Sequence, residues 1–260
     1  MLPVGAVPTG YDWSMTTRVA VVGATGKMGR LAITLIDASD DFEVFAAIDS
    51  KGSLDQMIGA DVVFDVTIPA VSQSVVEFAI SHGITVVVGT SGWSADRISG
   101  LRTLLGTTPA SGVIVVPNFS LGSVLATSFA AMASRFFDSI EIVEAHSASK
   151  IDSPSGTAVR TAELIGEARA SEGPVVAPHT DQRARGQQVW SIPIHSLRLK
   201  GVVAKQDVIF GGTGEVLTIS HETLAPTAYE AGILVALRAA RQQTGIVVGL
   251  DKLIDLGGLA

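Results

Sequence analysis

Short, nearly continuous apolar runs alternate with amphipathic stretches through the first half of the chain. The runs are Arg18–Gly23 (RVAVVG), Phe42–Asp49 (FEVFAAID), Asp61–Ile68 (DVVFDVTI), Ile84–Gly89 (ITVVVG) and Gly112–Pro117 (GVIVVP). They are short, rich in β-branched residues and apolar at successive positions. That is the pattern of strands covered on both faces. Between them Lys27–Ala38, Val71–His82 and Ala95–Leu105 have helical periodicity, and Ser94 and Ser120 stand where N-caps are expected. Strand and helix in turn, with short links, predict a Rossmann-like, doubly wound parallel sheet with right-handed crossovers.

The pattern changes after about residue 138. Ser139–Ala145, Val189–Lys200, Ala204–Phe210 and Glu215–Glu222 alternate apolar and polar positions, with GGTG as a turn between the last two. Such alternation predicts an open, mixed or antiparallel sheet with one face exposed. A helix over Gly156–Ala170 interrupts these strands, residues 171–188 read as loop, and a last helix spans about Pro226–Gln243 before the apolar tail IVVGLDKLIDL. The expected organisation is a flexible extension at 1–17, a dinucleotide-binding domain at 18–119 with 241–260 packing back on it, and an α+β domain at 120–240 for substrate and oligomerisation.

Composition narrows the function classes. At 260 residues and 47% hydrophobic, the chain can bury a proper core. A net charge of -7 without any Lys/Arg run gives no electrostatic reason to bind nucleic acid or an anionic membrane. No apolar run is long enough for a membrane span. The absence of cysteine excludes disulfides and thiolate metal sites and fits a reducing cytoplasm; no metal-ligand constellation is present either. The first seventeen residues lack the basic region of a secretory signal, and Met15 is a candidate start.

Gly23-Ala24-Thr25-Gly26-Lys27-Met28-Gly29 follows the first strand directly and opens a helix. This GxxGxxG spacing is a variant of the dinucleotide fingerprint. The first glycine makes the tight turn, small residues admit the pyrophosphate, and the helix N-terminus offers N–H groups to its charge. Asp49 ends the second strand, where an acidic residue binds ribose hydroxyls. That carboxylate favours NADH, whereas Lys27 or Lys51 can neutralise the extra phosphate of NADPH, so use of both is expected. Gly89-Thr90-Ser91 and Val116-Pro117-Asn118-Phe119 follow the fourth and fifth strands and should face the nicotinamide, with the Phe119 ring against the ligand.

The stretch EAHSASKIDSPSGTA, residues 144–158, places His146 and Lys150 just before a helix start. Alone, that spacing reads as a strand-end histidine and a solvated lysine, with Asp152, Ser153 and Ser155 as helix-start residues. Beside a dinucleotide domain it reads as two proton donors next to an anion site formed by the N–H groups at Ser155-Gly156-Thr157. His195 and His221 read as sheet or core residues, and His179 as a loop residue.

GATGKMG, VGTSG, VPNFSLG and E-x-H-x-x-x-K-x-D-x-P-S-G-T-A, in that order, together resemble the dihydrodipicolinate reductase family from about Arg18 onward. The resemblance implies reduction of 4-hydroxy-tetrahydrodipicolinate, a cyclic dicarboxylate, by NADH or NADPH with loss of water, in lysine and diaminopimelate biosynthesis. It implies His146 and Lys150 in proton delivery and substrate positioning, the backbone at Gly156 and Thr157 on a substrate carboxylate, and a homotetramer built through the open sheet. One position departs from the family block. Ser147 stands where the family has a second histidine that contacts substrate. That leaves three readings: the same reaction with weaker substrate binding, a paralogue acting on another small imino or oxo acid, or a non-catalytic NAD(P)H sensor.

Overall fold

The computed structural model describes residues 16–254. The candidate start at Met15, nearly all of the expected extension and the end of the apolar tail lie outside the described residues. The chain divides into two compact units, one of residues 16–119 with 230–254 and one of residues 120–229.

The first unit is a six-stranded sheet. Its strands are β1 (Thr17–Val22), β2 (Phe42–Ile48), β3 (Val62–Asp65), β4 (Thr85–Val88), β5 (Gly112–Val115) and β11 (Gly245–Val248), in the order β11-β5-β4-β3-β1-β2. Every pairing is parallel. Helices α1 (Lys27–Asp37), α2 (Pro69–Ser81) and α3 (Ala95–Leu105) form the crossovers. All residues of β3 and β5 are buried, as their unbroken apolar runs predict. Each such Val or Ile contributes about 1.5–3 kcal/mol relative to an exposed side chain. β2 differs from the expectation. It is the sheet edge, so Glu43, Phe45 and Ala47 are exposed and only its alternate positions turn inward.

Helix α6 (Glu230–Ala240) was expected with the second domain but packs in the first unit. The cause is its apolar face of Ile233, Ala236, Leu237 and Ala240, together with Gly232, where any Cβ would lie 1.9 Å from the Phe119 carbonyl oxygen. Arg238 adds an ion pair to Asp41 at 3.0 Å. The apolar tail then continues as β11, whose β-branched GIVV run extends the sheet alongside β5.

The second unit contains a mixed five-stranded sheet with the order β10-β9-β6-β8-β7. Its strands are β6 (Ser139–Ser147), β7 (Gln187–Val189), β8 (Ile192–Leu199), β9 (Ala204–Gly212) and β10 (Glu215–Thr223). β6 runs parallel to β8 and antiparallel to β9. Helices α4 (Leu121–Ala133) and α5 (Gly156–Ala168) cover one face, where Ala130, Ile140, Ile142, Ala162, Ile165 and Phe210 share a core. The opposite face stays open and carries Leu197, Leu199 and Val216 at 45%, 48% and 71% exposure. Ser94 and Ser120 cap α3 and α4 through their hydroxyls, as expected of serine at that position. No helix among the described residues is long and apolar enough to cross a membrane.

Candidate active site

In the first unit β2 lies on one side of β1 and β3 on the other, so the order in which the chain adds strands reverses between β1 and β3. Ligands of open α/β sheets bind outside the carboxyl ends of the strands at that reversal. The glycine loop sits there. Gly23 has φ +92°, and a Cβ on it would lie 2.4 Å from the Val66 carbonyl oxygen. A Cβ on Gly29 would lie 2.2 Å from the Gly23 carbonyl oxygen. Both positions therefore exclude any side chain.

Gly26 is the N-cap of α1 in extended conformation, and no side chain caps that helix end. The first turn thus keeps N–H groups that a helix interior would have satisfied. Gly23 and Ala24 donate their N–H groups to Ile48 O at 2.9 and 3.1 Å, tying the loop to the end of β2. Asp49 follows immediately, exposed, with Oδ1 accepting the Lys51 N–H at 2.9 Å. Thr25, Lys27 and Lys51 are exposed and Met28 is half-buried. A cradle that a Cβ would fill, an uncapped helix end and a strand-end carboxylate together fit a dinucleotide.

The later strand ends are only partly as expected. Phe119 does not present its ring at the surface. It is 4% exposed and packs 5.6 Å from Phe64, centroid to centroid. Gly89 makes room for it, since a Cβ there would meet the Phe119 ring at 2.6 Å. The ring is core because a buried strand end offers more apolar contact than an open crevice. Val116 is likewise buried, and Thr90 is nearly so, accepting the Thr67 N–H at 2.8 Å. Ser91, Pro117 and Asn118 remain at or near the surface.

In the second unit Glu144 is the centre of the site. Glu144 and His146 are two residues apart on β6 and so share a face. Glu144 is 0% exposed. It accepts from both terminal guanidinium nitrogens of Arg198 at 2.9 Å, from His146 Nδ1 at 2.6 Å and from the Ser155 N–H at 3.2 Å. Burial by itself raises the Glu144 pKa. Hydrogen bonds from Arg198, Ser196 and His146 and the Arg198 charge outweigh it and hold the carboxyl at about 2. An ionised carboxylate only accepts, so His146 donates from Nδ1 and its Nε2 is the nitrogen left to act outward.

The same carboxylate ties His146 to the start of α5. Ser155 gives its N–H to Glu144 and caps the helix by accepting the Ala158 N–H at 3.3 Å. Gly156 and Thr157 follow as the first helical residues. Arg198 also donates to Asp152 O at 2.7 Å, holding the intervening loop. In that loop Lys150 Nζ meets both Asp152 oxygens at 2.7 Å, which pulls the Asp152 pKa down. Ser147 Oγ lies 3.0 Å from Ser149 Oγ, and Ser147 O accepts the Lys150 N–H at 3.0 Å.

The remaining histidines do not join this cluster. His195 pairs with Glu141 at 2.8 Å, and Arg185 pairs with the other oxygen of the same carboxylate. His221 Nε2 lies 3.1 Å from Ser120 Oγ, and burial lowers its pKa. His179 is exposed in a loop. Glu144 and Arg198 are the functional candidates the sequence reading passed over. E-x-H on a strand is the signal that marks Glu144. Arg198 has none, because the β6–β8 register alone brings it opposite His146.

A doubly wound sheet with a glycine-lined crevice, joined in one chain to a mixed-sheet unit whose buried carboxylate binds a histidine and a helix start, is the arrangement of a dinucleotide-dependent oxidoreductase. The chain belongs to the dihydrodipicolinate reductase family. The family's N-terminal region matches residues 17–119 and its C-terminal region residues 122–254. The chain is 70% identical to 4-hydroxy-tetrahydrodipicolinate reductase of Clavibacter sepedonicus, covering 94% of this chain and 88% of that one. It is 42% identical to the reductase of the same name from Streptomyces griseus, covering 92% and 98%. Among solved structures it resembles the dipicolinate-bound dihydrodipicolinate reductase from Paenisporosarcina sp. TG-14, with TM-score 0.77, 29% identity and coverage of 92% and 100%. It is an NAD(P)H-dependent oxidoreductase.

Proposed function

We propose that the chain reduces 4-hydroxy-tetrahydrodipicolinate to tetrahydrodipicolinate, with loss of water, in lysine and diaminopimelate biosynthesis in the cytoplasm. The observation that carries this reading is the Glu144 hub. One buried carboxylate orients His146, clamps Arg198 and fixes the start of α5. These are the groups a planar dianion needs. Dipicolinate, the molecule bound by the Paenisporosarcina enzyme, is such a dianion.

When bound, NADH or NADPH supplies the hydride. Residues Gly23–Met28 and the α1 N-terminus hold its pyrophosphate, and Asp49 its ribose hydroxyls. Gly89, Thr90, Ser91, Pro117 and Asn118 line the crevice. On the substrate side the backbone at Gly156 and Thr157 takes one carboxylate. Lys150 takes the other or gives up a proton, so a bound dicarboxylate competes with Asp152 for its ammonium. His146 Nε2 supplies the second donor, with its tautomer fixed by Glu144.

Ser147 does not weaken this reading. The hub forms without it. The proposal extends to assembly as a homotetramer, with a second copy covering the exposed Leu197, Leu199 and Val216 of the open sheet. The deciding experiment is oxidation of NADH and NADPH in the presence of the dihydrodipicolinate synthase product generated in situ. Product-dependent consumption is expected with both nucleotides. Binding of either nucleotide without any consumption would overturn the substrate assignment.

A further inference from the structure

Asp65 is the last residue of β3 and is 0% exposed. Among the described residues no cation pairs with it. Three donors surround its carboxylate instead. Oδ1 accepts the Thr67 N–H at 3.1 Å and the Thr67 hydroxyl at 2.6 Å, and Oδ2 accepts the Ser72 hydroxyl. Ser72 in turn accepts the Trp93 indole N–H at 3.0 Å. The Thr67 N–H is shared with Thr90 Oγ1 at 2.8 Å, while Asp65 O accepts the Gly89 N–H at 2.8 Å.

These bonds join the two segments that leave β3 and β4. Arg97 fastens the same two from outside, donating to Pro69 O at 3.2 Å and Gly92 O at 3.1 Å. Val66, between Asp65 and Thr67, is the residue whose carbonyl leaves no space for a side chain on Gly23. The Asp65 network therefore fixes the floor of the glycine turn and one wall of the crevice together. A core position has no need for a carboxylate. A leucine or valine there would avoid the desolvation of a charge without a cation. What a carboxylate adds is directional acceptance of three donors at once.

We infer that Asp65 is a positioning residue for the dinucleotide, holding Thr67, Thr90 and the turn under Gly23 in the geometry that binds NAD(P)H. It touches neither cofactor nor substrate. This inference rests on the NAD(P)H reading and adds a residue whose effect is confined to the nucleotide.

The test is direct titration of NADPH binding by fluorescence, with wild-type protein and with D65N, S72A, T67V and T67S, each checked for folding by circular dichroism. D65N and T67V are expected to weaken NADPH binding roughly tenfold, the loss of one or two buried hydrogen bonds. T67S keeps the hydroxyl and should bind within about twofold of wild type. In steady state the KM for NADPH should rise while the KM for the imine stays within about twofold, since only one ligand's site is disturbed. Folded D65N and T67V that bind NADPH as wild type does would overturn the inference and leave Asp65 a structural residue. Failure of the wild-type protein itself to bind NADPH would overturn the cofactor reading and this inference with it.

Discussion

Glu144 Oε2 and His146 Nδ1 lie 2.6 Å apart on one face of β6, with the carboxylate closed off from solvent and the imidazole half-buried. The pair is local in sequence, yet its geometry depends on a distant residue. Without the two bonds from Arg198 a buried carboxylate would not stay charged. Glu144→Gln keeps the volume but removes the charge, leaves Arg198 without its counter-ion and lets the imidazole take either tautomer. If His146 works through Nε2, turnover should fall at least about a hundredfold, the lower range for a lost acid–base group. NADPH binding should be unchanged, because the hub lies wholly in the second unit. Steady-state kinetics beside a nucleotide titration separates the two effects. Equal losses in both would mean that the variant is misfolded or that the hub has another role.

The same carboxylate governs acid stability. Its folded pKa of about 2 lies below the ordinary carboxylate value of 4.5. A group depressed on folding stabilises the folded state above its unfolded pKa, and that contribution disappears as pH falls through the folded one. The window here runs from about pH 4.5 down to about pH 2. The linkage is worth about 3 kcal/mol when fully present. Denaturant unfolding at a series of pH values should show wild type losing stability through that window. Glu144→Gln should start lower and change less. Parallel pH curves for the two proteins would show that Glu144 is not the group responsible.

Lys150 poses a different question, because its partner is exposed. The Lys150 side chain is 26% exposed and that of Asp152 62%, so their ion pair contributes little to stability. A lysine held in place at low energetic cost is one that substrate can claim. Lys150→Ala should therefore leave thermal stability nearly unchanged and nucleotide binding within about twofold, yet lower turnover by roughly a hundredfold. Turnover equal to wild type would remove Lys150 from the chemistry and leave it as a loop residue.

Much of this is legible in the sequence. The unbroken apolar runs of β3, β4 and β5 mark a buried parallel sheet, and alternation in β8 and β10 marks an open one. The glycine loop is readable because its spacing falls directly between a strand and a helix, and Gly29 is barred from a side chain by the nearby Gly23 carbonyl, although the contact that bars one from Gly23 comes from distant Val66. Three features were not legible, each for a physical reason. Arg198 reaches Glu144 through strand register across 54 residues, which no local pattern encodes. Phe119 has the composition of a ligand-facing ring, but the gap above Gly89 makes it core. Asp65 resembles any strand-end acid until its burial shows that it serves three donors.

Ser147 stands where the sequence resemblance leads one to expect a second histidine, and the structure sets two effects against each other there. The serine hydroxyl takes part in the turn that leads to Lys150, through Ser149 Oγ at 3.0 Å and the Ser149 N–H at 3.4 Å. Replacing it with histidine sacrifices those bonds, at about 1 kcal/mol for neutral hydrogen bonds of that length. An imidazole reaches farther and, when protonated, gives a substrate carboxylate a charge-assisted bond of about 1.5–3 kcal/mol. The second effect is the larger. Ser147→His should lower the KM for the imine dicarboxylate several-fold, and more strongly below the imidazole pKa of about 6.5 than above it. Turnover should stay within about twofold, because the Glu144–His146 pair forms without a bond from position 147. The measurement is KM and kcat for both proteins on either side of neutral pH. A KM that rises, with the same value at both pH settings, would show that position 147 serves the turn and never meets the substrate.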